Sequence, residues 1–317
     1  MLRSWQGCFL LTGIVFLLQL FPYTGIFLMM LAAPYWSVLL INLGFILMVH
    51  QGVTQAQSRW LRVFPTLWFG GYLGFSAASH WQVHRFNAAI VAANAGKRVP
   101  FDQAKWDVLI TPDRSDSNHG SSLTATNLVQ SFGLTRAYEA YGIAGWGSEG
   151  VQEYVLSGAS CPDSTGFGQR NGNNWQRVTT GGYGTGERMR SAKNLCFRSG
   201  PGFPERLVID VRPQPQITMN GLANFTTQNV VIAPVGGKAV SLQSGWGSAL
   251  SWLPQPVVGC VLNSGAPAWE CDAGFIRESR FDRKNDRTPN GADDVAARAL
   301  GLVKGSIADR YPGAIWQ

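Results

Sequence analysis

Long apolar stretches without charge dominate the first quarter of the chain, and shorter mixed patterns follow them. No side chain is acidic or basic between residues 4 and 58, and a second uncharged stretch runs from 63 to 84. A helix needs about 20 apolar residues to cross the hydrocarbon core of a bilayer. The first stretch therefore has room for two crossings, divided near Pro34, and the second has room for one.

We predict three transmembrane helices, over residues 7–32, 35–51 and 63–83, so that residues 1–84 form a membrane anchor. Pro22 would kink the first helix, which is tolerated in lipid when neighbouring groups satisfy the freed carbonyl. A cleaved signal peptide is the alternative for this segment, because Arg3 precedes the apolar run. The run is longer than the roughly 7–15 residues of a signal h-region, which favours a retained helix.

Positive charge predicts the orientation of the anchor. With three crossings, Arg3 shares one side with the loop that carries Arg59 and Arg62, and the positive-inside rule makes that side cytoplasmic. Everything after residue 84 is then extracytoplasmic, as in the periplasm beyond a bacterial inner membrane. Aromatic side chains, which settle at membrane interfaces, stand at the predicted boundaries: Trp5, Tyr35, Trp36, Trp60 and Trp81.

Small residues recur on the third predicted span. Gly70, Gly74 and Ala78 are spaced by four residues, so one face permits close helix packing. The face could pack on the first two spans or on a partner's helix, and the sequence leaves both open. His80 and His84, four residues apart, could present two metal ligands, but their interfacial position favours contact with lipid headgroups.

The remainder predicts an α+β architecture with a β-rich, mainly antiparallel extracytoplasmic domain. Residues 85–105 form a helical connector, and residues 106–317 contain short β-branched and aromatic runs separated by turn residues. Strands are expected at 106–110, 151–156, 206–211, 229–233, 238–242, 257–262 and 268–276. A helix is expected over 123–141, capped by Thr124 or Thr126. An amphipathic C-terminal helix capped by Asn290 would have Val295, Ala299, Leu302, Val303 and Ile307 as its apolar face.

Four of the five cysteines follow the anchor, which in an oxidising compartment favours disulfides. We predict the pairs Cys161–Cys196 and Cys260–Cys271, because each closes a local loop. The spacings contain no close cysteine pair of the kind used by structural zinc sites, so no metal is expected.

The densest polar cluster contains Asp113, Asp116 and His119. A hydrolase could use His119 with either aspartate, although nothing in the sequence brings these side chains together, and Asp and Ser are also ordinary turn residues. The Gly- and Asn-rich stretch 164–186 could bind a ligand as part of a receptor or sensor. A mixed charged run beginning after the last strand could contact an acidic partner or lipid headgroups: Arg277, Arg280, Arg283, Lys284 and Arg287.

Charge and motifs narrow the classes of function. All 19 acidic residues lie from Asp102 onward, and no basic stripe typical of nucleic-acid binding occurs. No cofactor motif is complete, so we expect no cofactor and no nucleic-acid partner. The preferred hypothesis is an accessory or assembly subunit of a cell-envelope complex that acts by protein–protein contact. The hydrolase and the ligand receptor are the alternatives.

Overall fold

The computed structural model describes residues 4–54, 59–111, 123–141, 150–157, 168–170, 173–180, 190–262, 269–279, 290–305, 311 and 313–315. Its helices are α1 (Ser4–Gln19), α2 (Pro22–Met30), α3 (Trp36–Thr54), α4 (Trp60–Thr66), α5 (Tyr72–Asn94), α6 (Ala125–Phe132) and α7 (Ala292–Ala299). A 3₁₀ turn, Ala33–Tyr35, precedes α3, and a π-helical turn, Leu67–Gly71, joins α4 to α5.

The strands are numbered in chain order. They are β1 (Trp106–Ile110), β2 (Arg136–Tyr141), β3 (Gly150–Ser157), β4 (Gly168–Arg170), β5 (Asn173–Thr180), β6 (Arg190–Pro201) and β7 (Leu207–Pro213). They continue with β8 (Ile217–Met219), β9 (Asn224–Pro234), β10 (Val240–Leu250), β11 (Pro256–Leu262), β12 (Trp269–Phe275) and β13 (Arg277–Ser279). The chain is therefore α+β, as predicted, with an N-terminal helical region and a large sheet.

The chain divides into two compact units. Unit 1 contains residues 1–83, 221–223 and 248–279, and unit 2 contains residues 84–220, 224–247 and 280–317. The division after Val83 lies close to the predicted end of the anchor at residue 84. Unit 1 nevertheless includes β11 and β12, which the sequence places within the β-rich domain.

Helices α1, α3 and α4 form an apolar bundle in unit 1. The Trp5 indole donates a hydrogen bond to Gln51 at 2.9 Å, which brings the start of α1 beside the end of α3. The Phe45 ring lies edge-on to Phe9 and stacks on Trp68. Because partners near the start of α1 lie near the end of α3, the two helices run antiparallel.

The structure corrects the prediction of three membrane spans. Within its described residues, one helical segment, residues 33–54, is long and apolar enough to cross a membrane, and α1 with α2 makes a second only if that bent pair is counted as one span. The expected third span is not among the described helices that are apolar enough to cross. Its second half carries Ser76, Ser79 and His80, which are buried against protein in unit 1.

The predicted first span is broken near Pro22. The axes of α1 and α2 differ by 119°. Proline lacks a backbone N–H and its ring crowds the preceding turn, so it stands at the start of the new helix α2. The Thr24 hydroxyl donates to the carbonyl of Leu18, whose helical donor would be the N–H that Pro22 lacks, and to the carbonyl of Phe21.

Unit 2 is built on a mixed sheet with the strand order β10-β9-β7-β1-β2-β3-β6-β5-β4, and β8 pairs with β9. β1 is parallel to both β2 and β7, whereas the remaining registered pairs in this unit are antiparallel. The core lies between one face of the sheet and the helices α6 and α7. It is filled by side chains such as Ile110, Leu128, Ile209, Ile232 and Val295.

Two helix predictions for unit 2 are wrong in length. Helix α6 is capped by Thr124, whose Oγ1 accepts from the Asn127 N–H, but it ends at Gly133, which adopts φ 75°; the residues after it form β2. Helix α7 is capped by Gly291 rather than Asn290. It ends before Gly301, also left-handed, so Val303 lies beyond the helix and is exposed.

Side chains cover the free edge of β10 in unit 2. The Asn94 amide accepts from the Gln243 N–H at 2.9 Å and donates to its carbonyl at 2.6 Å, and Lys97 donates to the Ser241 carbonyl. The Gly245 N–H donates to the Asn290 carbonyl. An uncovered strand edge can pair with a strand of another chain. The residues at the end of α5 prevent this by occupying the backbone groups of β10.

Candidate functional site: the disulfide hairpin and the helices of unit 1

A disulfide-bonded hairpin is the centre of unit 1. β11 and β12 pair in register, with Cys260 opposite Cys271, and these two cysteines form a disulfide, as predicted. Cys196 is buried on β6, and Cys161 lies outside the described residues, so their pairing stays a prediction.

Three successive outward N–H groups of β11 donate to side chains of three different helices. The Val258 N–H donates to Ser37 Oγ on α3 at 3.0 Å, and the Cys260 N–H donates to Gln19 Oε1 on α1 at 2.8 Å. The Leu262 N–H donates to Met29 Sδ on α2 at 3.4 Å. The outer edge of the hairpin is thus paired with helices instead of with a further strand.

The carbonyl groups at this edge are satisfied in the same way. The Ser37 hydroxyl donates to the Pro256 carbonyl at 2.8 Å, and the Asn42 amide donates to the Pro254 carbonyl at 2.8 Å. The Trp269 indole of β12 donates to the Gln19 carbonyl. Backbone groups withdrawn from water cost several kcal/mol each when they lack partners, so this pairing suits a hairpin held at an apolar surface.

Glycines allow the hairpin and the helices to approach closely. A Cβ atom at Gly259 would lie 2.6 Å from Gln19 Oε1, 2.6 Å from Pro34 Cβ and 2.8 Å from Pro34 Cα. A Cβ atom at Gly25 on α2 would overlap the ring of Trp269. Both residues therefore serve close packing within unit 1.

The first part of α5 packs through a polar stripe. The Tyr72 hydroxyl lies 3.2 Å from Ser251 Oγ, Ser76 donates to the Leu250 carbonyl, and Ser79 Oγ accepts from the Leu250 N–H. These contacts bury the polar residues that lower the apolarity of the predicted third span. One face of the helix is thereby committed to contacts inside the chain.

His80 completes this stripe. Its imidazole stacks on the Trp252 ring, with the ring centroids 4.3 Å apart and nearly parallel. Among the described residues, no group of three or more histidine, cysteine or acidic side chains is arranged to hold a metal ion. The observed role of His80 is packing.

Of the predicted helix-packing residues, Gly74 and Ala78 lie on the other side of α5, and Gly70 lies in the π-helical turn before it. Gly70, Gly74 and Ala78 are exposed, and a Cβ atom built at either glycine meets nothing within 4 Å among the described atoms. The structure thus leaves this face free of packing against α1 and α3. Packing on a partner's helix stays a prediction.

A charged network lies on the face of the unit 2 sheet opposite the helix-covered core. Glu153 Oε2 lies 2.5 Å from Arg198, and Glu153 Oε1 lies 3.1 Å from Arg136 Nε. Tyr138, directly across the β2–β3 ladder, donates its hydroxyl to Glu153 and is fully buried. Burial raises the pKa of the Tyr138 hydroxyl, which keeps it a neutral donor near neutral pH.

Glu139 gives unit 2 a pH-dependent element. Its pKa is raised by burial, although a hydrogen bond from the Ala125 N–H to Glu139 Oε2 opposes this effect. The folded state therefore binds a proton more tightly than the unfolded chain does. Stability contributed by the protonated form is present at low pH and is lost as the pH rises through the interval between the unfolded and folded pKa values.

We expect Glu139→Gln to remove this loss, because the neutral amide oxygen still accepts from Ala125 and never ionises. Unfolding of the full chain, followed by circular dichroism over a pH series from acid to neutral, measures the effect. The variant should lose less stability than the wild type over this range. Identical pH profiles for the two proteins would contradict the assignment of the slope to Glu139.

Most of the other predicted site residues lie outside the described residues. These are Asp113, Asp116 and His119 of the hydrolase alternative and Arg280, Arg283, Lys284 and Arg287 of the charged run. Arg277 is described, and it donates to the carbonyls of Gly221 and Leu222 within unit 1. That contact is structural, and the hydrolase alternative stays a prediction.

Sequence reasoning missed Gln19, Ser37 and Asn42. The sequence nevertheless contains an indication of these residues. Burying a polar side chain inside an uncharged helix costs free energy, so such a side chain usually has a specific partner. Their partners are more than 200 residues away along the chain, so local patterns do not identify them.

No protein-family model matches the chain, and comparisons with curated proteins and with solved structures found no similar protein. The geometry of the two units is therefore the basis for assigning a function.

Proposed function

We propose that the chain is a membrane-anchored accessory or assembly subunit of a cell-envelope complex, acting by contact with another membrane protein. Unit 1 anchors the chain in the bilayer, and unit 2 lies in an oxidising compartment such as the periplasm. The observation that carries the partner contact is the exposed small-residue face of α5.

The surface of α3 supports the anchoring. Only 22% of the residues in the most apolar part of the segment 33–54, which contains α3, are buried. Large apolar side chains such as Leu39, Ile46 and Val53 are exposed along it, and Leu10 and Leu17 are exposed along α1. Monomeric soluble proteins rarely expose contiguous apolar patches of this extent, whereas lipid covers them without cost.

The positions of the disulfide and of the arginines support the orientation. The Cys260–Cys271 hairpin contacts the end of α1 at Gln19 and the start of α3 at Ser37. At the opposite ends of these helices, Trp5 bonds to Gln51, and Arg62 donates to the Gly52 carbonyl. Disulfides persist in oxidising compartments and arginines favour the cytoplasmic side, so both features agree on one orientation.

The exposed face of α5 supports a partner helix. Gly70, Gly74 and Ala78 lie opposite the stripe formed by Tyr72, Ser76 and other residues that pack within unit 1. In membranes, small residues at this spacing let two helices approach closely, and association gains from van der Waals packing instead of the hydrophobic effect.

In-cell photo-crosslinking tests this function. A photoreactive phenylalanine analogue at Ala78 should yield a discrete adduct with one membrane protein, identifiable by mass spectrometry after mild-detergent purification. The same analogue at Leu39, an exposed position on α3, is the matched control and should yield no discrete protein adduct. A clean monomer with no Ala78 adduct would contradict the proposal and shift attention to His119.

A further inference from the structure

The short helix α2 has two faces of different character. Its inner face packs on the hairpin, where Gly25 lies against Trp269 and Met29 Sδ accepts from the Leu262 N–H. On the outer face, Tyr23, Phe27 and Met30 are 92%, 63% and 76% exposed. Positions 23, 27 and 30 follow the helical repeat, so they form one continuous apolar stripe.

The direction of α2 is set by the break before Pro22. The axis of α2 turns by 119° from that of α1, which is more than a right angle. Helix α2 therefore runs partly back alongside α1 instead of continuing beyond its end. Nine residues span only about 13 Å, which is too short to cross a bilayer. The chain then returns through Ala32, which adopts a left-handed φ of 54°, into α3.

The surroundings of the stripe identify what covers it. Exposed apolar side chains continue from Leu17 on α1 through Phe21 to Leu39 on α3, and no acidic or basic residue lies between positions 4 and 58. Protein interfaces carry a polar rim that stays accessible to water. The one hydroxyl on α2 besides Tyr23, that of Thr24, donates to helix carbonyls, so the stripe lacks such a rim.

We propose that α2 is a re-entrant membrane segment, which inserts Tyr23, Phe27 and Met30 among the lipids of the leaflet next to the disulfide hairpin. The proposal rests on the anchoring function of unit 1 and adds a shallow insertion beside its crossing segment, residues 33–54. The hairpin fixes the depth of α2, because β11 and β12 hold its inner face through Met29 and Gly25. Aromatic and thioether side chains suit this interfacial depth.

Site-directed spin labelling of the full chain in phosphatidylcholine vesicles tests the insertion. In a Cys8→Ser background, labels are placed at Phe27→Cys and Met30→Cys, with Leu39→Cys as the lipid reference and Lys238→Cys as the water reference. The readout is the ratio of collision with oxygen, which concentrates in lipid, to collision with a water-soluble nickel chelate. The labels at 27 and 30 should give ratios close to that at 39 and several-fold above that at 238.

Each other outcome of the labelling experiment overturns either the insertion of α2 or the proposed anchor. A ratio at 27 and 30 that matches position 238, with position 39 still in lipid, places the stripe in water and overturns the insertion alone. Low collision with both reagents at 27 and 30 shows coverage by protein and also overturns it. A water-like ratio at position 39 overturns the proposed anchor itself, so the two failures are distinguishable.

Discussion

Gly259→Ala is expected to detach the β11–β12 hairpin from the helices of unit 1. The added Cβ atom would lie 2.6 Å from Gln19 Oε1 and 2.8 Å from Pro34 Cα, a backbone atom that cannot rotate away. Overpacking of this kind costs about 1–3 kcal/mol, and loss of the Cys260 bond to Gln19 adds about 1 kcal/mol or more. Hydrogen exchange at the Val258 and Cys260 amides, followed in detergent, should accelerate at least tenfold.

Gly274→Ala is the matched control on the same hairpin. Gly274 pairs with Val257 on β11, and a Cβ atom there meets nothing within 4 Å. This variant should therefore leave the two exchange rates at wild-type values. Equal protection in the Gly259 and Gly274 variants would show that the hairpin does not rely on close contact with Pro34 and Gln19.

Local patterns predicted the elements whose identity depends on their own residues. β1 has the predicted bounds, Trp106–Ile110, and α3, β11 and β12 lie within a few residues of their predictions. α3, β1 and β11 are mostly apolar, with turn residues or proline near their ends, whereas β12 also contains Glu270 and Asp272. Tertiary contacts did not need to override the local preference.

The predictions of secondary structure fail where contacts between residues distant in the sequence determine the element. β2 contains Arg136, Glu139 and two alanines, all compatible with a helix, yet it is a strand because Gly133 ends α6 and the segment pairs with β1 and β3. β6 carries charged and polar residues that conceal its pairing with β3 and β5. The apolar character of the N-terminal helices was predicted, whereas the number of helices long and apolar enough to cross a membrane was overestimated.

The candidate site shows the same limit. The Cys260–Cys271 pair was predicted from its short separation, because a local loop restricts the possible partners. The docking of this hairpin on Gln19, Ser37 and Met29 joins residues more than 200 positions apart. The local sequence does not identify the distant residue that makes such a contact. Each buried polar side chain within an apolar helix nevertheless indicates that a partner exists.

Glu153→Ala is expected to destabilise unit 2 by about 2 kcal/mol, since removal of one member of a largely buried ion pair leaves the other charge uncompensated. Here two arginines, Arg136 and Arg198, lose their shared carboxylate, and the buried Tyr138 hydroxyl loses its acceptor. Partial exposure of both arginines keeps the cost below that of a fully buried pair. In thermal unfolding of the full chain, the transition of unit 2 should fall by about 4–8 °C.

Three further variants separate the network from a general effect of charge removal: Glu205→Ala, Arg198→Met, and Glu153→Ala combined with Arg198→Met. Glu205 is 82% exposed and lies 4.0 Å from Arg136, so Glu205→Ala should shift the transition by no more than about 1–3 °C. Adding Arg198→Met to Glu153→Ala removes one uncompensated cation and should restore part of the lost stability, because residues in one network are not additive. If the double variant loses as much stability as the two single variants lose together, Arg198 and Glu153 act independently. The ion pairs would then contribute no coupling energy to the stability of unit 2.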